Sequence, residues 1–209
     1  MEEIDDLERK ASLGDPEALC ELGIVYENKF YKLLPNSNDF ERLRKEYTKK
    51  IVDLYTEAMS KNHGYSYIRL SYLYLEGYVV LKNQVKAISI LNEGGKKGLP
   101  ECYYFLGEMY FWGRRVKKNY ETAENYYTLA ADRGAMGAQY RLGKMYCEGI
   151  ASRKDLALGV SYLEKAAKQG QINAMCYLGS MHIEGTYYPK DEEKGFKIIE
   201  EAAKKDSDL

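Results

Sequence analysis

One feature limits what this chain can fold into: its leucines and glycines recur every 36 residues. Leu70, Leu106, Leu142 and Leu178 keep that interval, and so do Gly77, Gly113, Gly149 and Gly185. Gly98, Gly134 and Gly170 repeat it again. Four residues before each leucine stands a small side chain, Ser66, Cys102, Ala138 or Ala174. Four after it stands Tyr74, Tyr110, Tyr146 or, in the last copy, His182. A fixed period of this size marks stacked units, because one unit cannot bury its own apolar face.

Each unit reads as two helices. In the third, Cys102, Leu106, Met109 and Tyr110 fall on one helical face, and Gly113 closes the helix. The spacing predicts a second helix after Asn119, whose counterparts Asn83, Asp155 and Asp191 are also good N-cap residues. Ala123, Tyr126, Tyr127 and Ala130 form its inward stripe. Pro16 and Pro100 stand before first helices, where a missing N–H costs nothing. The phase of Tyr74, Tyr110 and Tyr146 predicts core positions.

A first copy runs from Gly14, but Leu22 and Leu70 are 48 residues apart, so 12 are inserted. Apolar residues continue at helical spacing on both sides of Pro35-Asn36-Ser37-Asn38-Asp39, which predicts a longer helical hairpin over 29–50. Ile4, Leu7 and Ala11 make a half unit that caps the stack. At the other end, Lys194 to Lys205 is the last second helix. Its glutamates and lysines face water, or the chain has been cut after Asp206-Ser207-Asp208-Leu209.

The expected organisation is one all-α domain, a right-handed α-α superhelix (solenoid) of five helix-turn-helix repeats plus an N-terminal capping helix. Its parts are the cap over 1–13, then repeats over 14–64, 65–98, 99–134, 135–170 and 171–209.

Copies three and four, with Leu106-Gly107-Glu108-Met109-Tyr110, Leu142-Gly143-Lys144-Met145-Tyr146, Ala130-Ala131 and Ala166-Ala167, resemble the Sel-one-like repeat (SLR) family, a relative of the tetratricopeptide repeat. Copy two departs at Ser71 and at Gly94-Gly95, which leaves that copy locally loose or lets helices pack closely. The resemblance covers about residues 14–206. It implies a scaffold or adaptor that gathers other proteins. A disulfide-rich secreted branch is linked to β-lactamase-like hydrolysis, but Cys20, Cys102, Cys147 and Cys176 lack that branch's pairing, so the hydrolase is the weakest alternative.

The remaining composition narrows partners. Net charge is −1 and the isoelectric point near 6.2, which argues against a dedicated nucleic-acid binder. Mean hydropathy is −0.55, and no membrane span is expected. The acidic start has no basic-then-apolar run, so a cytoplasmic location with free thiols is expected. Two histidines are too few for a histidine-based metal site, and no cofactor or catalytic set is expected. Cys147 and His182 could pair, yet His182 reads better as a packed substitute for tyrosine. Gly94-Gly95-Lys96-Lys97-Gly98 imitates a phosphate cradle, but its phase makes it a helix end. Arg114, Arg115, Lys117 and Lys118 read as a solvated turn.

In tetratricopeptide relatives the first helices line the concave face. Carrying over that phase places inward slots two before, two after and five after each key leucine. These are Ile68, Tyr72 and Leu75; Tyr104, Glu108 and Phe111; Tyr140, Lys144 and Cys147; and Cys176, Ser180 and Ile183. Tyrosine is abundant, 21 residues against 5 Phe and 1 Trp, and suits half-buried interfaces. Trp112 replaces a glutamate of its siblings, and it either anchors a partner or packs on the next unit. The expected activity is therefore binding of a partner protein's peptide or helix through Ile68, Tyr72, Leu75, Tyr104, Glu108, Phe111, Trp112, Tyr140 and Lys144, with Glu108 and Lys144 setting charge register. An effector or inhibitor acting through the inserted hairpin is the alternative. Oligomeric state is left open.

Overall fold

Eleven helices and no strands make up the described residues, which are 2–35, 38–150 and 153–207 of a computed structural model. They are α1 (Glu2–Ser12), α2 (Pro16–Tyr31), α3 (Phe40–Ser60), α4 (Gly64–Glu76), α5 (Gln84–Lys96), α6 (Pro100–Trp112), α7 (Tyr120–Ala131), α8 (Met136–Glu148), α9 (Leu156–Lys168), α10 (Ile172–Glu184) and α11 (Glu192–Ser207). The architecture is all-α, an array of helix hairpins. Asn36, Ser37 and the terminal Asp208-Leu209 of the expected turns lie outside the described residues.

The helix starts follow from side-chain chemistry. Asn83, Asn119, Asp155 and Asp191 each accept a hydrogen bond from the backbone N–H three residues on, at 2.9–3.0 Å. Each satisfies one of the orphan donors of a helix N-terminus. Asp15 does the same for α2 through the Ala18 N–H, with Pro16 at the first helical position. Gly149 and Gly185 close α8 and α10 with φ of 72° and 71°, where a Cβ would be strained.

Contacts divide the chain into two compact units, Met1–Phe105 and Leu106–Leu209, with the boundary inside α6. In the first, α1 packs on α2, α2 on α3, α3 on α4 and α4 on α5. Its helices α2 and α3 run to 16 and 21 residues, whereas α4 and α5 have 13 each. In the second, α7 packs on α8, α8 on α9, α9 on α10 and α10 on α11. Cys147, Val160, Leu163, Ala166, Ala174, Leu178 and Met181 form one of its core clusters.

Glycine sets how closely paired helices approach. In every copy but the second, where Ser71 stands, the Gly after the key leucine abuts a second-helix side chain: Tyr55 against Gly23, Tyr127 against Gly107, Leu163 against Gly143 and Ile199 against Gly179. Gly94 and Gly95, the odd pair of copy two, let α5 close onto Cys102 and the Tyr103 ring. Added Cβ atoms there would lie 2.6 Å from Cys102 Sγ and 2.4 Å from the Tyr103 ring. Close packing is thus the outcome, not a loose copy.

One expectation is corrected. Tyr74, Tyr110 and Tyr146 are half-buried rather than core. Each packs its ring against a neighbour, as suits a side chain with an apolar body and a polar tip. Tyr110 stacks on Tyr126 and Tyr146 on Tyr162, at 5.8 and 6.1 Å between centroids. The Tyr146 hydroxyl donates to Glu124 at 2.6 Å, and Lys86 lies 4.4 Å over the Tyr74 ring.

Candidate functional site

Helix geometry decides which residues a partner could touch. On α4, the exposed or half-exposed strip is Tyr65, Ile68, Arg69, Tyr72 and Glu76. On α8 it is Gly137, Tyr140, Arg141, Lys144 and Glu148, and on α10 Asn173, Cys176, Tyr177, Ser180 and Glu184. Relative to the key leucine these are positions five, two and one before, then two and six after. The expected slot five after does not belong. At about 100° per residue it lies roughly 75° from the strip's midline, toward the second helix of its own pair. Leu75 is accordingly only 3% exposed and is withdrawn as a partner contact. Cys147 sits in the core, and Phe111 turns its ring toward Tyr120 and Tyr127, 5.2 and 6.2 Å away.

In the first unit, Ile68 is half-buried and Tyr72 exposed. Beside them Arg69 grips Glu27, with Nη2 donating to Oε2 at 2.6 Å and Nε to Oε1 at 3.3 Å. Glu27 is 2% exposed, and the Tyr55 hydroxyl also donates to its Oε1. Burial and this bond to Glu27 push the Tyr55 hydroxyl far above the usual phenol range. Tyr104 is half-buried, in the part of α6 that belongs to this unit.

The second unit builds a similar tie, with an aromatic ring in the open. Arg141 Nε donates to Glu108 Oε1 at 2.7 Å and Nη2 to Oε2 at 3.0 Å. The Tyr127 hydroxyl donates to Glu108 Oε1 at 2.6 Å, and Trp112 Nε1 donates to Oε2 at 3.0 Å. The Arg141 guanidinium lies 5.6 Å from the Trp112 ring and 5.7 Å from Phe111, close enough for cation–π attraction. Trp112 remains 49% exposed. Its edge-on contact with Phe111 at 4.9 Å completes the frame. On α8, the helix of Arg141, Tyr140 packs on the core cluster and stays half-exposed, and Lys144 reaches Glu148 at 3.7 Å.

Glu108 therefore has a role other than the expected one. Its carboxylate is occupied by Arg141, Tyr127 and Trp112 of its own unit, so it holds the Trp112 ring in place and is not free to pair with an outside charge. The arginines one before the key leucine, and the tyrosines that complete each tie, are absent from the expected set. A signal existed: Arg69 and Arg141 are 72 residues apart, as are Tyr55 and Tyr127. Between and after them the same two slots hold Phe105 and Tyr177, and Leu91, Leu163 and Ile199. The tie thus recurs in alternate repeats. Its carboxylate shifts by three positions, being five after Leu22 but two after Leu106.

Burial governs the cysteines that could carry chemistry. All four cysteines are free. Burial pushes the Cys102 thiol up to about 12 and Cys147 to about 11, and raises Cys20 as well, which disfavours the thiolate at these three. Among the described residues no three His, Cys, Asp or Glu side chains group as metal ligands, and no helix is long and apolar enough to cross a membrane. His182 stacks on Tyr188 at 4.1 Å, as a tyrosine substitute would, and is 6% exposed. Its Nδ1 has no hydrogen-bond partner among the described residues.

His182 has a consequence for pH. Burial first, then Lys194, lowers its pKa below 6.5, while Asp191 opposes the shift. Lys168 and Glu164, the latter bonded to Tyr188, also line this side. The unfolded imidazole takes up a proton first. The stability His182 contributes is therefore complete above the unfolded pKa and is lost as pH falls through the lowered one. Between pH 7 and about 5, wild type is expected to lose more stability in urea unfolding than His182→Tyr does. Equal losses would contradict this.

Comparison with known proteins follows the same lines. A family model described as Sel1 repeat matches residues 64–99, 100–134, 137–171 and 172–207. No curated protein matches the chain. The solved structure of a protective antigen of uropathogenic Escherichia coli, described as displaying an SLR fold, is similar at a TM-score of 0.68 and 23% identity. That similarity covers 96% of this chain and 40% of the antigen, so the chain spans well under half of that protein. A Sel1 repeat protein from Oxalobacter formigenes is similar at 0.68 and 22%, over 96% of this chain and 84% of its own. An immunity protein from Pseudomonas aeruginosa is similar at 0.50 and 22%, over 88% of this chain and 66% of its own. At such identities these likenesses show the fold.

Proposed function

Because the chain belongs to the Sel1 repeat family, whose members generally mediate protein–protein interaction, we propose that it takes a peptide or helix of a partner protein on the exposed strip of its first helices. One observation carries this reading: Trp112 is half exposed yet held on three sides by Glu108, Arg141 and Phe111. A large apolar surface already fixed in place loses little entropy on binding, and Trp and Tyr dominate interface hot spots. In the second unit Tyr140, Arg141 and Lys144 extend the surface beside it, with Tyr177 on the next first helix. Ile68, Tyr72 and Tyr104 are the corresponding contacts proposed in the first unit.

The test is affinity capture from the source cells followed by mass spectrometry. Trp112→Ala is expected to lose the partner, with roughly 2 kcal/mol or more of binding free energy removed, about thirtyfold in affinity. Tyr140→Ala is expected to weaken capture less. Phe196→Ala, exposed on α11, serves as the control. If wild type and Trp112→Ala retain the same proteins equally, the strip is not the binding surface.

A second reading, an effector or inhibitor acting through the first hairpin, draws on the length of α3 and on exposed Tyr31 and Leu34 beside the α2–α3 turn. The immunity protein's likeness is compatible with it. Removing residues 29–50 while retaining the helical signal would abolish target binding on this reading and leave it intact on the first.

A further inference from the structure

The lengthened α3 creates a surface that the shorter hairpins lack. Its first half faces the loop joining α4 to α5 across an open cleft of about 770 Å³, entirely within the first unit. The Thr48 hydroxyl donates to the Val79 carbonyl at 3.2 Å and ties helix to loop. Five cations line the cleft, Arg44, Lys45 and Lys49 from α3 and Lys82 and Lys86 from the other wall, against one acid, Glu41. Arg44 contacts Glu41 only at 4.0 Å, and Lys86 lies over the Tyr74 ring. Lys45, Lys49 and Lys82 have no ion-pair partner among the described residues. All five cations are exposed. Like charges gathered on one concavity repel one another, and a chain with net charge −1 has ample acid with which to neutralise them.

The same cleft carries unsatisfied apolar surface. Leu81 is 90% exposed at its rim, and Tyr78 is also open to solvent. Val79 beneath them is buried and anchors the loop. Concentrated positive charge around an exposed leucine is complementary to one kind of occupant.

We propose that this cleft docks an acidic peptide segment bearing an apolar side chain. Its carboxylates pair with Lys45, Lys49 and Lys82, and its apolar residue covers Leu81. A nucleic-acid strand fits less well. It needs several aromatic faces interleaved with the cations, and of the two tyrosines lining the cleft Tyr74 is covered by Lys86, which leaves Tyr78 as a single open ring. This inference rests neither on the Trp112 strip nor on any property of relatives.

The experiment titrates the full chain into a fluorescein-labelled peptide of alternating glutamate, aspartate and leucine, read by fluorescence anisotropy. Binding is expected to saturate, and to weaken roughly tenfold between about 0.05 M and 0.5 M salt as screening shortens the reach of the charges. The double reversal K45E/K49E is expected to weaken it roughly tenfold or more at low salt with an unchanged melting temperature, since both positions are exposed. K82E, on the opposite wall, tests the cleft independently should the double variant fold poorly. L81A is expected to cost a few-fold. W112A is expected to bind like wild type. Equal binding by the matching glutamine–asparagine peptide would overturn the proposal. So would unchanged binding by both K45E/K49E and K82E, displacement of the peptide by oligouridylate, or loss of binding in W112A.

Discussion

Replacing Arg69 by methionine is expected to destabilise the first unit by about 3 kcal/mol, near the lower end of the range for breaking a buried ion pair. Glu27 is the reason. It is almost fully buried, and Arg69 supplies its charged partner. Tyr55 would remain as a single neutral donor, too little to stabilise an isolated carboxylate away from water. The Arg69 side chain keeps 25% of its surface in solvent, which is why the larger values are not expected. Adding Glu27→Gln to Arg69→Met is expected to recover much of the loss, because glutamine still accepts from Tyr55 and carries no charge. Urea unfolding of the two single variants and the double variant gives the coupling directly. An Arg69→Met variant within about 0.5 kcal/mol of wild type would sink this account. Arg141→Met should cost less, about 1 kcal/mol, since the Glu108 side chain is 18% exposed and has Trp112 and Tyr127 as further donors.

Gly159→Val is expected to cost about 3 kcal/mol or more in the second unit. A Cβ at Gly159 would lie 2.5 Å from Cys147 Sγ, 2.8 Å from the Gly143 carbonyl oxygen and 2.9 Å from the Cys147 nitrogen. Two of these are backbone atoms, which cannot swing aside as a side-chain tip can. Gly159→Ala gains about 1 kcal/mol of helix propensity, yet is expected to be net destabilising by about 1–2 kcal/mol because α8 and α9 must move apart. The equivalent slot in the preceding repeat holds Ala123, fully buried. Ala123→Gly should also destabilise, by about 1 kcal/mol, so equivalent positions respond with opposite preferences. Thermal unfolding reads both, and a Gly159→Ala variant as stable as wild type would show that the helices are not in contact there.

Periodicity made the helices legible because each cap is a local event. Asn119 needs only the N–H three residues ahead, so its spacing is enough to place α7. The exposed strip of the first helices was half legible. Positions two before and two after the leucine lie on it, and Trp112 stood out by replacing a charge. Leu75 was misplaced because phase borrowed from a related repeat is out by a fraction of a turn, which turns a side chain from solvent into the hairpin. The ties of Glu27 and Glu108 were not legible, since each joins three helices. Nothing local to Arg69 or Arg141 says which carboxylate the fold will bring to it. For Gly94 and Gly95 composition allowed two outcomes, and the nearness of Cys102 and Tyr103 selects one.

The alternation of the ties has a bearing on how such an array can change length. If the 36 residues that follow Tyr55 were excised, a Phe105 equivalent would come to stand where Arg69 stands, and the Glu27 acid would lose its cation. Removing or duplicating 72 residues keeps every acid matched. Growth and shrinkage of this chain are therefore tolerated in steps of two hairpins, and the inheritable module is twice as long as the period that first meets the eye.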